Sequence, residues 1–187
     1  MPGFRHRLTR PQQRVYDQSD AIASVPLRAT ARLRQAVALL PAMLQSADRR
    51  RVEACAQLIS DEITSILRIP AVRVAVNGTR PANARGELHG LYTPRPAGPG
   101  RAAAINVWMI TAKRGQVVAF KTFLRTLLHE ICHHLDYALL GLPDSFHTDG
   151  FYKRESSLFH QIGAATAHTA PAAARPGIRP VSVLERE

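Results

Sequence analysis

The spacing of apolar residues changes twice along this 187-residue chain, and these changes constrain its fold more than any other feature. Residues 29–45 and 48–69 carry apolar side chains at helical spacing. Residues 71–111 contain three short runs that alternate or are rich in β-branched residues, and helical spacing returns from residue 117. Helices, then strands, then helices predict a single α+β domain.

Two segments of different composition flank this domain, which we place at residues 29–163. Residues 1–28 are polar and basic, and we expect them to form a disordered arm. Residues 164–187 are rich in Ala and Pro, which predicts a disordered tail. No apolar run is long enough to cross a bilayer or to act as a signal peptide, so we expect a cytoplasmic protein without membrane contact.

Three segments are predicted to form a small sheet. Residues 71–76 are rich in the β-branched residue valine and precede the turn signal Asn77-Gly78. Residues 86–93 form the second predicted strand. Residues 102–111 alternate apolar side chains and form the third predicted strand, after a Pro- and Gly-rich loop. We therefore expect a three-stranded sheet between the N-terminal helices and the longest helix of the chain.

The longest predicted helix covers residues 117–140 and ends at Gly141. At about 100° per residue, one band of this helix gathers apolar side chains and faces the core. The band contains Leu124, Leu127, Leu128, Ile131, Leu135, Ala138 and Leu139. His129, His133 and Asp136 lie on the opposite side, and the two imidazoles are one turn apart, a spacing at which both can reach a single ion.

Residues 129–136 read HEICHHLD and contain the HExxH pattern of zinc metalloproteases. Zn²⁺ held by neutral His129 and His133 lowers the pKa of a bound water to about 7 and polarises a carbonyl group. Glu130 projects beside the histidine pair, so it can take a proton from that water without being a ligand. The predicted chemistry is hydrolysis of a peptide bond, with Glu130 as the base.

A catalytic zinc site usually has three protein ligands, and two residues compete for the third position. His147 follows the helix after a short loop and precedes another predicted helix, so we expect it to fold back as the third ligand. Glu155 lies on the apolar face of that second helix, where a carboxylate needs a partner. It is the alternative ligand, an acceptor for a ligand histidine, or half of an ion pair. Asp136 is a further candidate acceptor, whereas we expect His134 and Cys132 not to bind the metal.

HEICHHLD followed by HTDGFYKRES resembles the SprT-like zinc metalloproteases, in which a histidine with a phenylalanine four positions later follows the HExxH motif. Here His147 and Phe151 keep that offset. The resemblance covers about residues 70–163 and implies that the three histidines hold one zinc ion, with Glu130 as the catalytic base. It also implies a minimal zincin-like fold: a helix, a small sheet, the active-site helix and a closing helix.

The resemblance further implies that the substrate binds as an added strand along a sheet edge. We assign that edge to the segment before the active-site helix, at Ile105, Asn106, Val107 and Trp108. Two features depart from the family pattern. Thr148 stands where a glycine often follows the third histidine, and the chain, with two cysteines, lacks the cysteine-rich zinc ribbon of some members.

The net charge is +11, and residues 1–51 contribute +7 of it, because they hold ten Arg and three Asp. A basic arm can contact the phosphate backbone of DNA, although a biased genomic base composition also produces an excess of Arg. The first hypothesis is therefore a zinc-dependent endopeptidase that acts on a cytosolic or DNA-associated protein. The second is a basic nucleic-acid-binding protein with a structural or inactive zinc site, and the third is a helical interaction module without a metal.

Overall fold

The computed structural model describes residues 4–84, 86–94 and 102–163. After a short 3₁₀ turn, Phe4–Arg7, these residues form five α-helices and five strands. In chain order they are α1 (Arg10–Ala21), α2 (Ala31–Gln45), α3 (Arg49–Leu67), β1 (Arg73–Thr79), β2 (Ala82–Asn83), β3 (Gly86–Glu87), β4 (Gly90–Thr93), β5 (Ala104–Ile110), α4 (Phe120–Ala138) and α5 (Asp149–Gln161). The predicted α+β class is confirmed.

The main sheet has three strands in the order β1-β5-β4, while β2 and β3 form a separate short hairpin. β5 runs parallel to β1, with Val74 opposite Ile105, and antiparallel to β4, with Tyr92 opposite Ile105. β5 is therefore the central strand. A parallel neighbour cannot be reached by a tight turn, so the chain passes through the hairpin and β4 before β5 returns beside β1.

The predicted substrate-binding edge is wrong. Ile105, Asn106 and Val107 pair with β1 on one side and with β4 on the other, so their backbone groups are engaged by both neighbours. Trp108 pairs with β1, and its N–H donates to the carbonyl of His89. In the described part of the chain, β4 is the outer strand on the side of α4.

One apolar cluster joins the sheet to four of the helices. It includes Leu40 of α2, Ile59 of α3, Val76 of β1, Ile105 of β5, Leu127 of α4 and Leu158 of α5. α4 begins at Phe120 and not at the predicted residue 117, because Val117 and Val118 extend the sheet: Val118 N–H donates to the carbonyl of Met109 at 2.8 Å. None of the described helices is long and apolar enough to cross a membrane.

The prediction of a disordered arm over residues 1–28 is wrong for residues 4–28. Thr9 and Gln12 form a reciprocal capping box at the start of α1. Val25 and Leu27, in the segment after α1, are buried in the core. The sequence hides this order because α1 is mostly polar and is held by tertiary contacts with α5. Residues 1–3 and the predicted tail at 164–187 lie outside the described residues.

Candidate metal centre

Three histidines from two segments bring their Nε2 atoms together. His129 and His133 lie one turn apart on α4, and His147 lies in the loop that leads to α5. The Nε2 atom of His147 is 3.0 Å from that of His129 and 3.1 Å from that of His133. Two nitrogens bound to one tetrahedral zinc ion at about 2.0–2.1 Å would be about 3.3 Å apart. The three histidines are therefore close enough to bind one metal ion.

Glu155 fixes the proton of the first histidine. Its Oε2 atom lies 3.2 Å from Nδ1 of His129, and its Oε1 atom accepts a hydrogen bond from Arg125 at 3.2 Å. An ionised carboxylate can only accept, so Nδ1 of His129 carries the hydrogen and Nε2 keeps its lone pair. Glu155 thus contacts the side of the His129 ring opposite the Nε2 atom that faces His147. This position favours His147 over Glu155 as the third ligand.

A second chain of hydrogen bonds fixes the proton of His133. Ser145 Oγ donates to Oδ2 of Asp136 at 2.6 Å, so it accepts from Nδ1 of His133, which is 2.7 Å away. Asp136 is held in turn by an ion pair with Arg154 at 2.8 Å, and both side chains are fully buried. Asp136 therefore orients His133 through Ser145, and the Nε2 atom of His133 is left with a lone pair.

The convergence of these lone pairs is the strongest sign of a cation site. A neutral imidazole has one N–H group, and His129 and His133 both use theirs on the far side of the ring. The Nε2 atom of His147 carries at most one hydrogen, so it can donate to the lone pair of only one of these two histidines at a time. Burial, together with the charges of the two neighbouring histidines, lowers the pKa of His133 to about 3, and burial lowers the pKa of His147 as well. The lowered pKa values favour the neutral state of His133 and His147, the state in which imidazole binds metals.

Glu130 lies between α4 and β4, next to the histidine cluster. Its side chain is buried, with 6% exposure, and the backbone N–H of Tyr92 donates to its carboxylate. Gly90 makes room for it, because a Cβ atom at that position would lie 2.8 Å from Cγ of Glu130 and would collide with its carboxylate. Burial raises the pKa of Glu130 to about 7, against the opposing influence of His129. This carboxyl group is suited to exchanging a proton near neutral pH.

Two grooves meet at this carboxylate. One has a volume of about 330 Å³ and is lined by His89, Arg125, Thr126 and Glu155. The other has a volume of about 360 Å³ and is lined by Leu91, Tyr92, Pro94, His133, Tyr137, Ser145 and His147. Gly90, His129 and Glu130 belong to both walls. An extended ligand lying along β4 would therefore cross the histidine cluster.

His134 and Cys132 lie away from the cluster. His134 Nε2 donates to the carbonyl of Pro70 at 2.8 Å, so its Nδ1 accepts from the hydroxyl of Tyr92 at 3.1 Å. The ring thereby ties α4 to the segment before β1 and to β4. Cys132 is fully buried in the core, and burial raises the pKa of its thiol.

Several residues of the site escaped the sequence analysis. Gly90 carried a usable signal, since a glycine inside a strand pattern often marks a close approach of another group. Ser145, Tyr92 and Arg154 carried none, because their roles depend on partners that lie between 9 and 135 residues away along the chain.

Comparison of this chain with protein-family models, with curated proteins and with solved structures found no match. The resemblance to the SprT-like metalloproteases therefore rests on the motif residues alone.

Proposed function

We propose that this protein is a zinc-dependent endopeptidase in which His129, His133 and His147 hold the metal and Glu130 is the catalytic base. The observation that carries the proposal is the convergence of three imidazole Nε2 atoms beside a buried carboxylate, at the meeting point of two grooves. Each part alone has ordinary structural explanations. Together they provide a metal, a proton acceptor and room for an extended substrate.

The donor set fits zinc. Three neutral nitrogen ligands with one remaining position are characteristic of catalytic zinc sites, whereas structural sites are usually closed by a fourth side chain. When bound, zinc supplies a Lewis acid that polarises the scissile carbonyl and acidifies water. The contacts of His129 with Glu155 and of His133 with Ser145 support this assignment, because ligand histidines usually donate their other N–H to such acceptors.

Glu130 moves the proton in the proposed reaction. Its carboxylate accepts a proton from the attacking water and then delivers it to the amine that leaves. The N–H of Tyr92 keeps the carboxylate at the edge of β4, and Gly90 leaves the space that it needs. A group that first accepts and then donates a proton works best when its pKa is near the working pH, and burial raises the pKa of Glu130 in that direction.

The substrate in this proposal is a polypeptide that lies along β4. The carbonyl of His89 accepts from Trp108 N–H at 3.3 Å, so His89 faces β5. Backbone groups alternate along an antiparallel strand, and those of Gly90 and Tyr92 therefore face away from β5. Their carbonyl oxygens can accept from the N–H groups of an added strand. This edge replaces the one expected at Ile105–Trp108.

Glu130→Gln tests the mechanism. Glutamine keeps the size of the side chain but cannot take a proton, so cleavage of unfolded polypeptides should fall by about 10²- to 10⁴-fold while one zinc ion is retained. The measurements are zinc content and cleavage of a peptide library by the zinc-loaded chain.

A matched control is Glu62→Gln on α3, which makes its contacts with Thr30 and Arg32, outside the grooves. This variant should cleave like the wild type. Unchanged cleavage by Glu130→Gln would refute the mechanism. A wild-type chain that binds no zinc would refute the metal centre itself and favour a role without catalysis.

A further inference from the structure

Residues of the N-terminal segment hold the chain on both sides of His147. Within residues 146–150, Phe146, Thr148 and Gly150 alternate with His147 and Asp149 along the sequence. Each of the three contacts a residue between Phe4 and Asp20. The backbone at His147 is therefore fixed from outside its own loop.

An aromatic contact lies on the N-terminal side of His147. The ring of Phe146 packs against Tyr16 of α1, with centroids 6.0 Å apart, and against Phe4, with centroids 6.3 Å apart. Phe4 and Tyr16 also contact each other at 6.5 Å. Rings at these centroid distances make favourable contacts. They join the 3₁₀ turn, α1 and the loop before the third histidine.

A capping contact lies on the C-terminal side of His147. Gly150 is in the first turn of α5, and its N–H donates to Oδ1 of Asp20 at 2.9 Å. The first N–H groups of a helix have no partner within the helix, and a carboxylate there is also favoured by the helix dipole. The hydroxyl of Thr148 accepts from the next N–H, that of Phe151, at 3.0 Å. Two side chains thus cap the start of α5: Thr148, from the residue just before the helix, and Asp20, from α1.

The packing at this junction leaves no space for a side chain. A Cβ atom at residue 150 would lie 2.6 Å from the carbonyl oxygen of Ser19 and would also collide with the backbone of Asp20. The close approach explains why a glycine occupies the first turn of α5, where its lack of a side chain otherwise weakens a helix. It also means that the backbone at the end of α1 packs directly against the start of α5.

Arg154 connects the same end of α1 to the contacts that hold His133. Its Nη1 atom donates to the carbonyls of Ser19 and Ile22, and its Nη2 atom donates to Ser19 Oγ at 2.9 Å and to Asp136 at 2.8 Å. Asp136 holds His133 through Ser145. Contacts from α1 therefore reach both His147 and His133.

We propose that α1 is a positioning element of the metal centre and that Asp20 is a positioning residue for His147. Docking of α1 fixes the backbone around residue 147, so that the third imidazole meets the other two without a loss of loop entropy when the metal binds. The inference rests on the proposed metal centre. It concerns the affinity and geometry of that centre, and it can fail while the centre itself exists.

Asp20→Ala in the full chain tests this role. The variant removes the cap on Gly150 while leaving all three histidines, and zinc affinity should fall about tenfold, the lower end of the effect of removing a group that orients a ligand. Asp20→Asn keeps an acceptor oxygen and should restore most of the affinity. Competition with a coloured chelator measures the affinity. Absorption of the Co²⁺-loaded chain reports whether the tetrahedral ligand set has been disturbed.

The matched control is Gln18→Ala, another exposed position of α1, which should bind zinc like the wild type. In a His147→Ala background, Asp20→Ala should have no further effect, because Asp20 acts through the missing ligand. A purely structural role would lower the thermal midpoint and leave the affinity of the folded chain unchanged. If Asp20→Ala does not fold, Tyr16→Leu takes its place, because it removes the ring contact with Phe146. Its zinc affinity and thermal midpoint are then compared with those of the wild type in the same way.

The outcomes separate the two proposals. A wild-type chain without zinc affinity would overturn the metal centre. Two other results would overturn only the positioning role of α1. In the first, the wild type binds zinc and Asp20→Ala binds it with the same affinity. In the second, Asp20→Ala lowers zinc affinity equally in the wild-type and His147→Ala backgrounds.

Discussion

At the scale of single residues, the positions of the hydrogens on His129 and His133 decide whether the three-histidine cluster can accept a metal ion. Glu155 accepts the Nδ1 hydrogen of His129, and Ser145 accepts that of His133. The Nε2 lone pairs of both histidines are therefore free to bind a metal ion. Removing an acceptor leaves the ligand atom in place but frees the ring to rotate and to change tautomer. Removing a ligand histidine takes away a bond to the metal. Removal of an acceptor should therefore lower zinc affinity less than removal of a ligand histidine.

We expect Glu155→Ala to weaken zinc binding by about 10- to 100-fold and to leave one zinc ion per chain at saturation. His147→Ala should weaken it further, because the site then has two ligands in place of the usual three. Metal analysis after dialysis, with chelator competition, compares the two variants. The reverse order, with zinc lost in Glu155→Ala and kept in His147→Ala, would make Glu155 the third ligand.

The sequence predicted the part of this centre that follows from helical spacing. His129, Glu130 and His133 lie on one helix, so periodicity alone places them relative to one another. His147 was predicted from the short loop that brings it back. The Arg154–Asp136 pair could not be predicted, because a buried arginine looks the same in sequence as a surface one until its partner is known.

At the scale of secondary-structure elements, β4 provides the edge that was expected on β5. Alternating apolar residues are typical of central and edge strands alike, so the pattern of residues 102–111 could not distinguish them. Strand order was decided by the parallel pairing of β1 with β5, a contact between distant segments. β4 has four residues and fits the short length typical of edge strands.

Strand addition on β4 predicts an alternating response to backbone methylation of the substrate. Every second N–H of an added strand points at β4, where Gly90 and Tyr92 present outward carbonyls. N-methylation at those positions should reduce cleavage by about 3- to 10-fold each, the equivalent of one backbone hydrogen bond. Methylation at the intervening positions should have little effect. A scan of singly methylated peptides measures this, and a uniform response along the peptide would contradict binding as a strand.

At the scale of the whole molecule, the candidate metal centre links α4, the loop before α5 and, through α5, the N-terminal helix. The predicted order of helices, sheet and helices is correct, but the sequence did not reveal α1, since its few apolar residues and many charges are typical of a disordered arm. Its order depends on Arg154, Gly150 and Phe146, which lie at the other end of the described chain. Binding of a metal should therefore stabilise the fold as a whole.

We expect zinc at 100 times its dissociation constant to raise the free energy of unfolding by about 2.7 kcal/mol. For a domain of this size, each kcal/mol raises the thermal midpoint by roughly 2–4 °C, so the midpoint should rise by about 5–10 °C. Thermal unfolding with zinc and with excess chelator measures the shift. His133→Ala, which removes a ligand, should show a much smaller shift. Equal midpoints with zinc and with chelator in the wild type would contradict a folded-state metal site.

The contact between Asp20 and Gly150 spans 130 residues, and that between Ser19 and Arg154 spans 135 residues. During translation, α1 therefore emerges long before the partners that order it. A chain made at about 5–20 residues per second spends roughly 7 to 26 seconds between the synthesis of residue 20 and that of residue 150. For nearly all of this time His147 has not been made, and a chain that ends before residue 147 cannot bring the three histidines together.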